Sequence, residues 1–402
     1  MTTTTAPAAR PAGSATAMPV LVSLSLCHLL NDTIQSLLPA IYPVLQEKFT
    51  LTFTQIGLLH FAFQAVASLL QPAVGLYTDR RPLFHLASVG MGASLAGLVL
   101  LAFASSYALL VVAAMLVGLG SSIFHPDASR NARTASGGRY GFAQSVFQVG
   151  GNAGTALGPL LAAFIVLPLG QESIVWFSAL ALLAMIVLWR VGSWAQERHR
   201  ARADRCAPPP AFALPPRRVA LLLAILALLL FSKFVYTSSL MSYYTFYVIE
   251  TFGVSVGTSQ LLLFVFLGAG AAGTLFGGPI GDRIGRKAVI WVSILGVLPF
   301  TLLLPHVGLV PTAVLTFVIG FLMASAFPAI VVYGQALLPG RVGMVSGLFF
   351  GFAFGVAAVA AAVIGVVADA YGITFAYQLC AFLPAIGLLT VFLPAEDALR
   401  EP

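Results

Sequence analysis

Twelve apolar stretches, each long enough to cross a bilayer, follow one another along the chain with little between them. They fall at about 19–45, 55–77, 84–104, 107–128, 141–168, 172–193, 219–249, 258–280, 288–305, 309–334, 342–368 and 372–394. A hydrocarbon core about 30 Å thick is crossed by about 20 apolar residues in an α-helix. Backbone polar groups in lipid must be satisfied within the spanning element, which the helix does by itself. The expected fold class is therefore an all-α membrane protein of twelve transmembrane helices. Composition agrees: 59% of residues are hydrophobic and only 8% charged, against about 25% charged in soluble domains. No segment free of an apolar run is long enough to house a soluble catalytic domain.

The charges set a topology. Arg80 and Arg81, then Arg130, Arg133 and Arg139, seven cations from Arg190 to Arg218, then Arg283, Arg286, Lys287 and Arg341 all fall on one side. With Arg10 and Arg400 in the tails this side holds 18 of the 20 Lys and Arg residues, leaving Lys48 opposite and Lys233 inside a span. By the positive-inside rule both termini are expected in the cytoplasm, and the membrane is expected to be a cytoplasmic (inner) one. The net charge of +7 is scattered rather than gathered on one solvated face, so no nucleic-acid partner is expected. Cys27, Cys206 and Cys380 lie far apart without CxxC spacing, which suggests neither a metal site nor a disulfide framework. Residues 1–18 lack the pattern of a cleaved signal and read as a disordered cytoplasmic tail. The proline-rich, basic stretch 194–218 reads as a cytoplasmic linker between six-helix bundles at 19–193 and 219–394, with 395–402 a second tail.

The two halves repeat. Thr78-Asp79-Arg80 returns as Gly281-Asp282-Arg283, and Glu47-Lys48-Phe49 as Glu250-Thr251-Phe252, both 203 residues on. Phe124-His125-Pro126 is answered by Ala326-Phe327-Pro328, and Gly138-Arg139-Tyr140-Gly141 by Gly340-Arg341-Val342-Gly343, both at 202. Two parallel six-helix repeats about an axis along the membrane normal are the layout of a major facilitator superfamily transporter. Gly278 to Lys287 resembles the superfamily's GxxxDRxGRR/K loop; the earlier copy, Gly75 to Pro82, keeps glycine and Asp-Arg but ends in Arg-Pro. The resemblance implies a cytoplasmic latch closed in the outward-facing state, with Asp79, Arg80, Asp282, Arg283 and Arg286 in gating roles.

Gly150, Gly154, Gly158 and Pro159 resemble the fifth-helix motif of drug/proton antiporters, although Ser145 and Ala162-Ala163 replace expected glycines. Small residues at this spacing serve helix packing equally well, and both readings stay open. The place of the antiporters' fourth-helix arginine is taken by Ala114, so coupling through that arginine does not carry over. The runs His28 to Ser36, Gln71 to Asp79, Phe124 to Arg130, Ala143 to Asn152 and Tyr236 to Tyr247 resemble the bacterial fosmidomycin-resistance exporters. That resemblance implies proton-driven export of a small antimicrobial, with no cofactor and no metal.

Polar residues inside spans choose faces. His28, Asn31, Asp32 and Gln35 form one stripe, His60, Gln64, Ser68 and Gln71 a second, and Gln144, Gln148 and Asn152 a third. Such stripes face protein or a wet cavity rather than lipid; interhelical hydrogen bonding and drug binding are both open readings. The equivalents of the third stripe are Ser346, Phe350 and Phe354, which suggests one polar and one aromatic wall. Asp32 is expected to carry the coupling proton, helped by His125 and Asp127, because a mid-membrane carboxylate is costly until protonated. His125, Asp127 and Arg130 are also expected at the cytoplasmic gate. Lys233, level with Leu30 on the repeat, is expected either to anchor an anionic substrate or to pair permanently with Asp32. Tyr236, Tyr244 and Tyr247 would complete the drug site with His28, Asn31, Gln35, Gln64, Gln144, Gln148 and Asn152. None of HExxH, GxSxG or paired acids on one helix occurs in a plausible context, so no enzyme is expected. An uptake symporter for an organic anion and a non-transporting receptor remain alternatives to export. The expected partners are the drug, protons and the bilayer, with the protein a monomer.

Overall fold

The computed structural model describes residues 15–203 and 214–395, and within them every regular element is a helix. Ten stretches are long and apolar enough to cross a membrane by length and composition. We number the main helices in chain order, setting Met18–Ala40 as α1 and Leu86–Ala102 as α3 among the ten. These are α2 (Phe53–Arg80), α4 (Tyr107–Ala135), α5 (Tyr140–Leu169), α6 (Gln171–Ala201), α7 (Pro216–Phe252) and α8 (Val256–Ile284). Then come α9 (Arg286–His306), α10 (Leu309–Leu337), α11 (Val342–Tyr371) and α12 (Ile373–Phe392). α3, at 17 residues, is the short apolar helix of the set, and α1 carries the polar run from His28 to Gln35.

Local chemistry sets the ends. The Thr52 hydroxyl accepts from Gln55 N–H while the Gln55 side chain accepts from Thr52 N–H, a reciprocal cap at the start of α2. Ser106 and Ser255 cap α4 and α8 through their hydroxyls. The first expected span, 19–45, is broken at Ile41, between Pro39 and Pro43, into α1 and a short helix Tyr42–Phe49. Within the stretch 194–218 expected as a linker, the α-helix Ser178–Ala203, which forms the body of α6, runs on to Ala203, and α7 begins at Pro216. Residues 1–14, 204–213 and 396–402, which hold much of both expected tails and of the linker, lie outside the described residues.

The surface carries large apolar side chains, and polar side chains lie buried among the apolar core. Leu69, Phe164, Phe264 and Val310 are each 70% exposed or more, whereas His28, Asn31, Asp32, Gln71, Gln144 and Lys233 are buried. This is the arrangement a lipid environment selects. α1 lies flush on α5 because Gly150, Gly154 and Gly158 present no side chain to Ser25, Leu29 and Ser36; a Cβ at any of them would strike α1. The fifth-helix glycines therefore do packing work.

The halves meet along two crossings, α2 with α11 and α5 with α8. Gly75 sits against the Gly343 backbone at the first, and Gly141 against Gly278 at the second. Every hydrogen bond recorded between the halves among the described residues lies from these glycines inward as far as Asn152 and Thr274. One end of the bundle is thus sealed by both halves.

Candidate functional site

The seal is built twice. Asp79 at the end of α2 accepts from the Gly343 and Met344 N–H groups of α11, at 2.9 and 2.8 Å. Asp282 at the end of α8 accepts from the Gly141 and Phe142 N–H groups of α5, both at 2.9 Å. Each carboxylate thereby caps the positive end of a helix in the opposite half. Arg286 lies 3.2 Å from Asp282, and Arg130 Nη1 lies 3.7 Å from Asp79 while donating to Thr78 O at 2.7 Å. Arg130 also pairs with Asp127, whose other oxygen accepts from Asn131 at 3.1 Å. Arg80 and Arg283 stand exposed at the helix ends.

Between the two carboxylates runs a polar cluster of which sequence reasoning gave a site role to Gln144 alone. Arg133 donates to Gln335 Oε1 at 3.1 Å, and Gln335 Nε2 donates to Ser129 Oγ at 3.3 Å and Ser346 Oγ at 2.9 Å. Ser129 in turn donates to Gln144 Oε1 at 3.0 Å. Four helices, α4, α5, α10 and α11, are tied here. Arg133 and Gln335 are 202 residues apart, and so are Gln144 and Ser346, so adding the repeat offset to Arg133 would have found its partner.

Deeper in the N-terminal half, α1 and α4 bring His28, Asp32 and His125 together, their ligating atoms all within 4.8 Å of one another. His28 Nε2 is 3.3 Å from Asp32 Oδ2, and His125 Nε2 is 3.5 Å from Oδ1. Asn31 and Gln35 donate to Asp32 Oδ1 at 2.9 and 3.1 Å. Behind the rings, His28 Nδ1 bonds Phe147 O at 2.8 Å and His125 Nδ1 bonds Ser121 O at 3.0 Å. Gly151 gives the trio its room, since a Cβ there would meet His28 Nε2 and lie 2.8 Å from Asp32 Oδ2. Phe147 stacks on His28 at 4.1 Å, and Phe350 and Phe354 of α11 cover His125 at 4.9 and 5.2 Å. Both imidazoles are fully buried and Asp32 is 5% exposed.

The expected site residues thus separate into groups. His125 joins Asp32, away from the Asp127 and Arg130 pair with which it was expected to form a gate; successive residues on one helix point in different directions. Gln144 faces the inter-half cluster, while Gln148 bonds Asn152 at 3.3 Å and Asn152 reaches Thr274 of α8 at 3.1 Å. Gln64 is half-buried on α2. Lys233 is buried without an acidic partner among the described residues: its Nζ lies 4.3 and 5.2 Å from the ring centres of Phe234 and Phe327. Phe327 packs edge-on against Phe350 at 4.9 Å, so aromatic rings stand between this lysine and the trio, and no Lys233–Asp32 pair forms. Tyr236, Tyr244 and Tyr247 are core residues of the C-terminal half: Tyr244 bonds Thr316 at 2.8 Å and Tyr247 stacks on Tyr377 at 4.5 Å.

Comparison with known proteins fits this architecture. The sequence profile of the Major Facilitator Superfamily matches residues 24–270 and 225–402. The chain is 55% identical over 379 residues to the fosmidomycin resistance protein of Escherichia coli (strain K12), covering 94% of this chain and 93% of that one. It is 41% identical over 389 residues to the uncharacterised transporter YfnC of Bacillus subtilis (strain 168), covering 96% and 95%. Among solved structures, the E. coli fucose:proton symporter in the outward conformation superposes with a TM-score of 0.71 at 17% identity, covering 93% of this chain and 98% of that one. The human organic anion transporter MFSD10 gives 0.71 at 19%, covering 94% and 100%. A membrane-inverted helical bundle, two carboxylate-capped crossings and this degree of likeness lead to one conclusion: the chain belongs to the major facilitator superfamily and, within it, to the family of the fosmidomycin resistance protein.

Proposed function

We propose that this protein exports fosmidomycin and related phosphonates across the bacterial inner membrane by alternating access, driven by protons moving inward. Twelve crossings in two six-helix halves, with both termini and the sealed end in the cytoplasm, complete the reading; the described arrangement is then the outward-facing state. The observation that carries it is Asp32, an acid about 21 Å along α1 at about 1.5 Å per residue, held between two imidazoles. At this depth in about 30 Å of hydrocarbon a carboxylate is costly when charged, so gaining and losing a proton changes the energetics of the whole bundle. Lys233, with only aromatic partners recorded, supplies the positive charge that a phosphonate needs. The printed name of the E. coli relative supports the substrate. Asp79, Arg80, Arg130, Asp282, Arg283 and Arg286 serve the cytoplasmic gate in this reading.

The test is drug transport in proteoliposomes holding the full chain under an imposed pH gradient. Uphill movement of fosmidomycin is expected, collapsing on addition of an uncoupler and absent in Asp32→Asn, while that variant still binds the drug. Uphill transport in Asp32→Asn, or transport indifferent to the uncoupler, would overturn the proposal.

A further inference from the structure

The trio around Asp32 lends itself to a count of protons. The main-chain oxygens of Phe147 and Ser121 only accept, so His28 Nδ1 and His125 Nδ1, 2.8 and 3.0 Å away, each carry a hydrogen, and the Ser121 hydroxyl, 3.2 Å from His125 Nδ1, can accept from that same N–H. A neutral imidazole held in that way presents Nε2 as a bare lone pair. Both Nε2 atoms are buried, have no aligned hydrogen-bond partner, and face the carboxylate at 3.3 Å from Oδ2 and 3.5 Å from Oδ1. Each gap therefore lies between two acceptors, and each separation is longer than the roughly 2.7–2.9 Å of a formed N–H···O hydrogen bond to a carboxylate. A gap closes only when a proton enters it. The two gaps use different oxygens, so filling one leaves the other free.

We propose that His28, Asp32 and His125 form a single two-proton site, in which His28 holds a coupling proton rather than contacting the drug. The proposal rests on the proton-coupled reading above. With no shared proton the trio carries one negative charge, with one it is neutral, and with two it carries one positive charge. Burial favours the neutral form. The second proton still finds support, because the rings of Phe147 on His28 and of Phe350 on His125 lie within the roughly 6 Å at which a ring attracts a cation. The charges acting most strongly on Asp32 and His125 are those of the other trio members, and the faces that α5 and α11 turn to the trio are these rings. Phe350 and Phe354 belong to the opposite half, so parting of α11 from α4 uncovers His125. A proton stored in the sealed state is then released on the side that opens.

The number of protons exchanged per drug is read from the balance point of transport. Proteoliposomes with the full chain are clamped at zero membrane potential with both faces above pH 8, where the phosphonate is fully ionised. The drug ratio at which net flux vanishes is then measured against a pH difference of one unit. Two protons per drug hold about a 100-fold drug gradient and one proton about a tenfold gradient. The wild-type protein is expected near 100-fold. His28→Asn, whose carboxamide keeps a donor for Phe147 O, is expected near tenfold, as is His125→Asn for Ser121 O. A wild-type balance at tenfold overturns the two-proton site while leaving proton coupling intact. A flux that ignores the pH difference overturns proton coupling itself. If His28→Asn does not fold, judged by drug-induced thermal stabilisation, His125→Asn decides: a balance still at 100-fold overturns the shared site.

Discussion

Removing one latch charge should open the sealed end by a predictable amount, and the two latches should differ. Asp79→Asn keeps one acceptor oxygen for Gly343 or Met344 and turns an amide toward the other N–H, so one charge-assisted hydrogen bond and the interaction with the α11 terminus are lost. Hydrogen bonds to charged groups contribute about 1.5–3 kcal/mol and a helix terminus about 0.3–1 kcal/mol, so about 2–3 kcal/mol is a fair figure for this buried side chain, 4% exposed. At tenfold per 1.4 kcal/mol, the closed-to-open ratio falls by about 30- to 140-fold. A protein resting at about 100:1 would then be on the order of a fifth to a half open. Asp282 is 16% exposed and has Arg286 beside it, so Asp282→Asn should shift the ratio less. Spin labels at the exposed positions 81 and 341, with Cys27, Cys206 and Cys380 replaced by serine, report the separation of α2 and α11 by pulsed electron resonance. A distance distribution unchanged in Asp79→Asn, or a larger shift in Asp282→Asn, would refute the capping argument.

Lys233→Gln is expected to weaken phosphonate binding at least tenfold while leaving neutral ligands within about twofold, measured by calorimetry; equal losses would point to packing against Phe234 and Phe327 instead. Gly154→Val drives side-chain atoms into the Leu29 backbone, and overpacking of this kind costs about 1–3 kcal/mol or more, so a lower unfolding temperature in detergent is expected. Gln335→Leu removes the acceptor of Arg133 and the donor to Ser129 and Ser346, and should raise cysteine labelling at the sealed end; unchanged labelling would mean the cluster bears no share of the seal.

Hydropathy and cation counts were enough to expect a helical membrane bundle, because lipid leaves a sequence few alternatives. Side-chain grouping was harder to read. The stripe from His28 to Gln35 places Asp32 beside its helical neighbours, but nothing in the spacing says that His125, on another helix, comes to face it. Tyr244 and Tyr247 read as ligand contacts because they combine ring and hydroxyl; in the fold the Tyr244 hydroxyl meets Thr316 and the Tyr247 ring stacks on Tyr377, pairings that the spacing does not reveal. Ser129 and Gln335 were passed over because a single neutral polar residue in a span carries little signal by itself. Arg133 reads in the sequence as a topology charge alone, although its guanidinium lies over the Tyr140 ring at 4.0 Å and donates to Gln335, which holds it inside the seal.

The meeting of Arg133 with Gln335 limits which side chains can stand at these two positions. Asp79 and Asp282 are identical and each caps a different helix, whereas Arg133 meets the residue at its own 202-residue offset. An arginine at 335 would bring two guanidinium groups together at this contact, where like charges about 4 Å apart repel by about 4 kcal/mol even at the effective dielectric of a protein surface. The closed contact therefore tolerates one charge of this pair and not two, and glutamine supplies the acceptor that arginine cannot. Gln335→Arg should hold the halves apart.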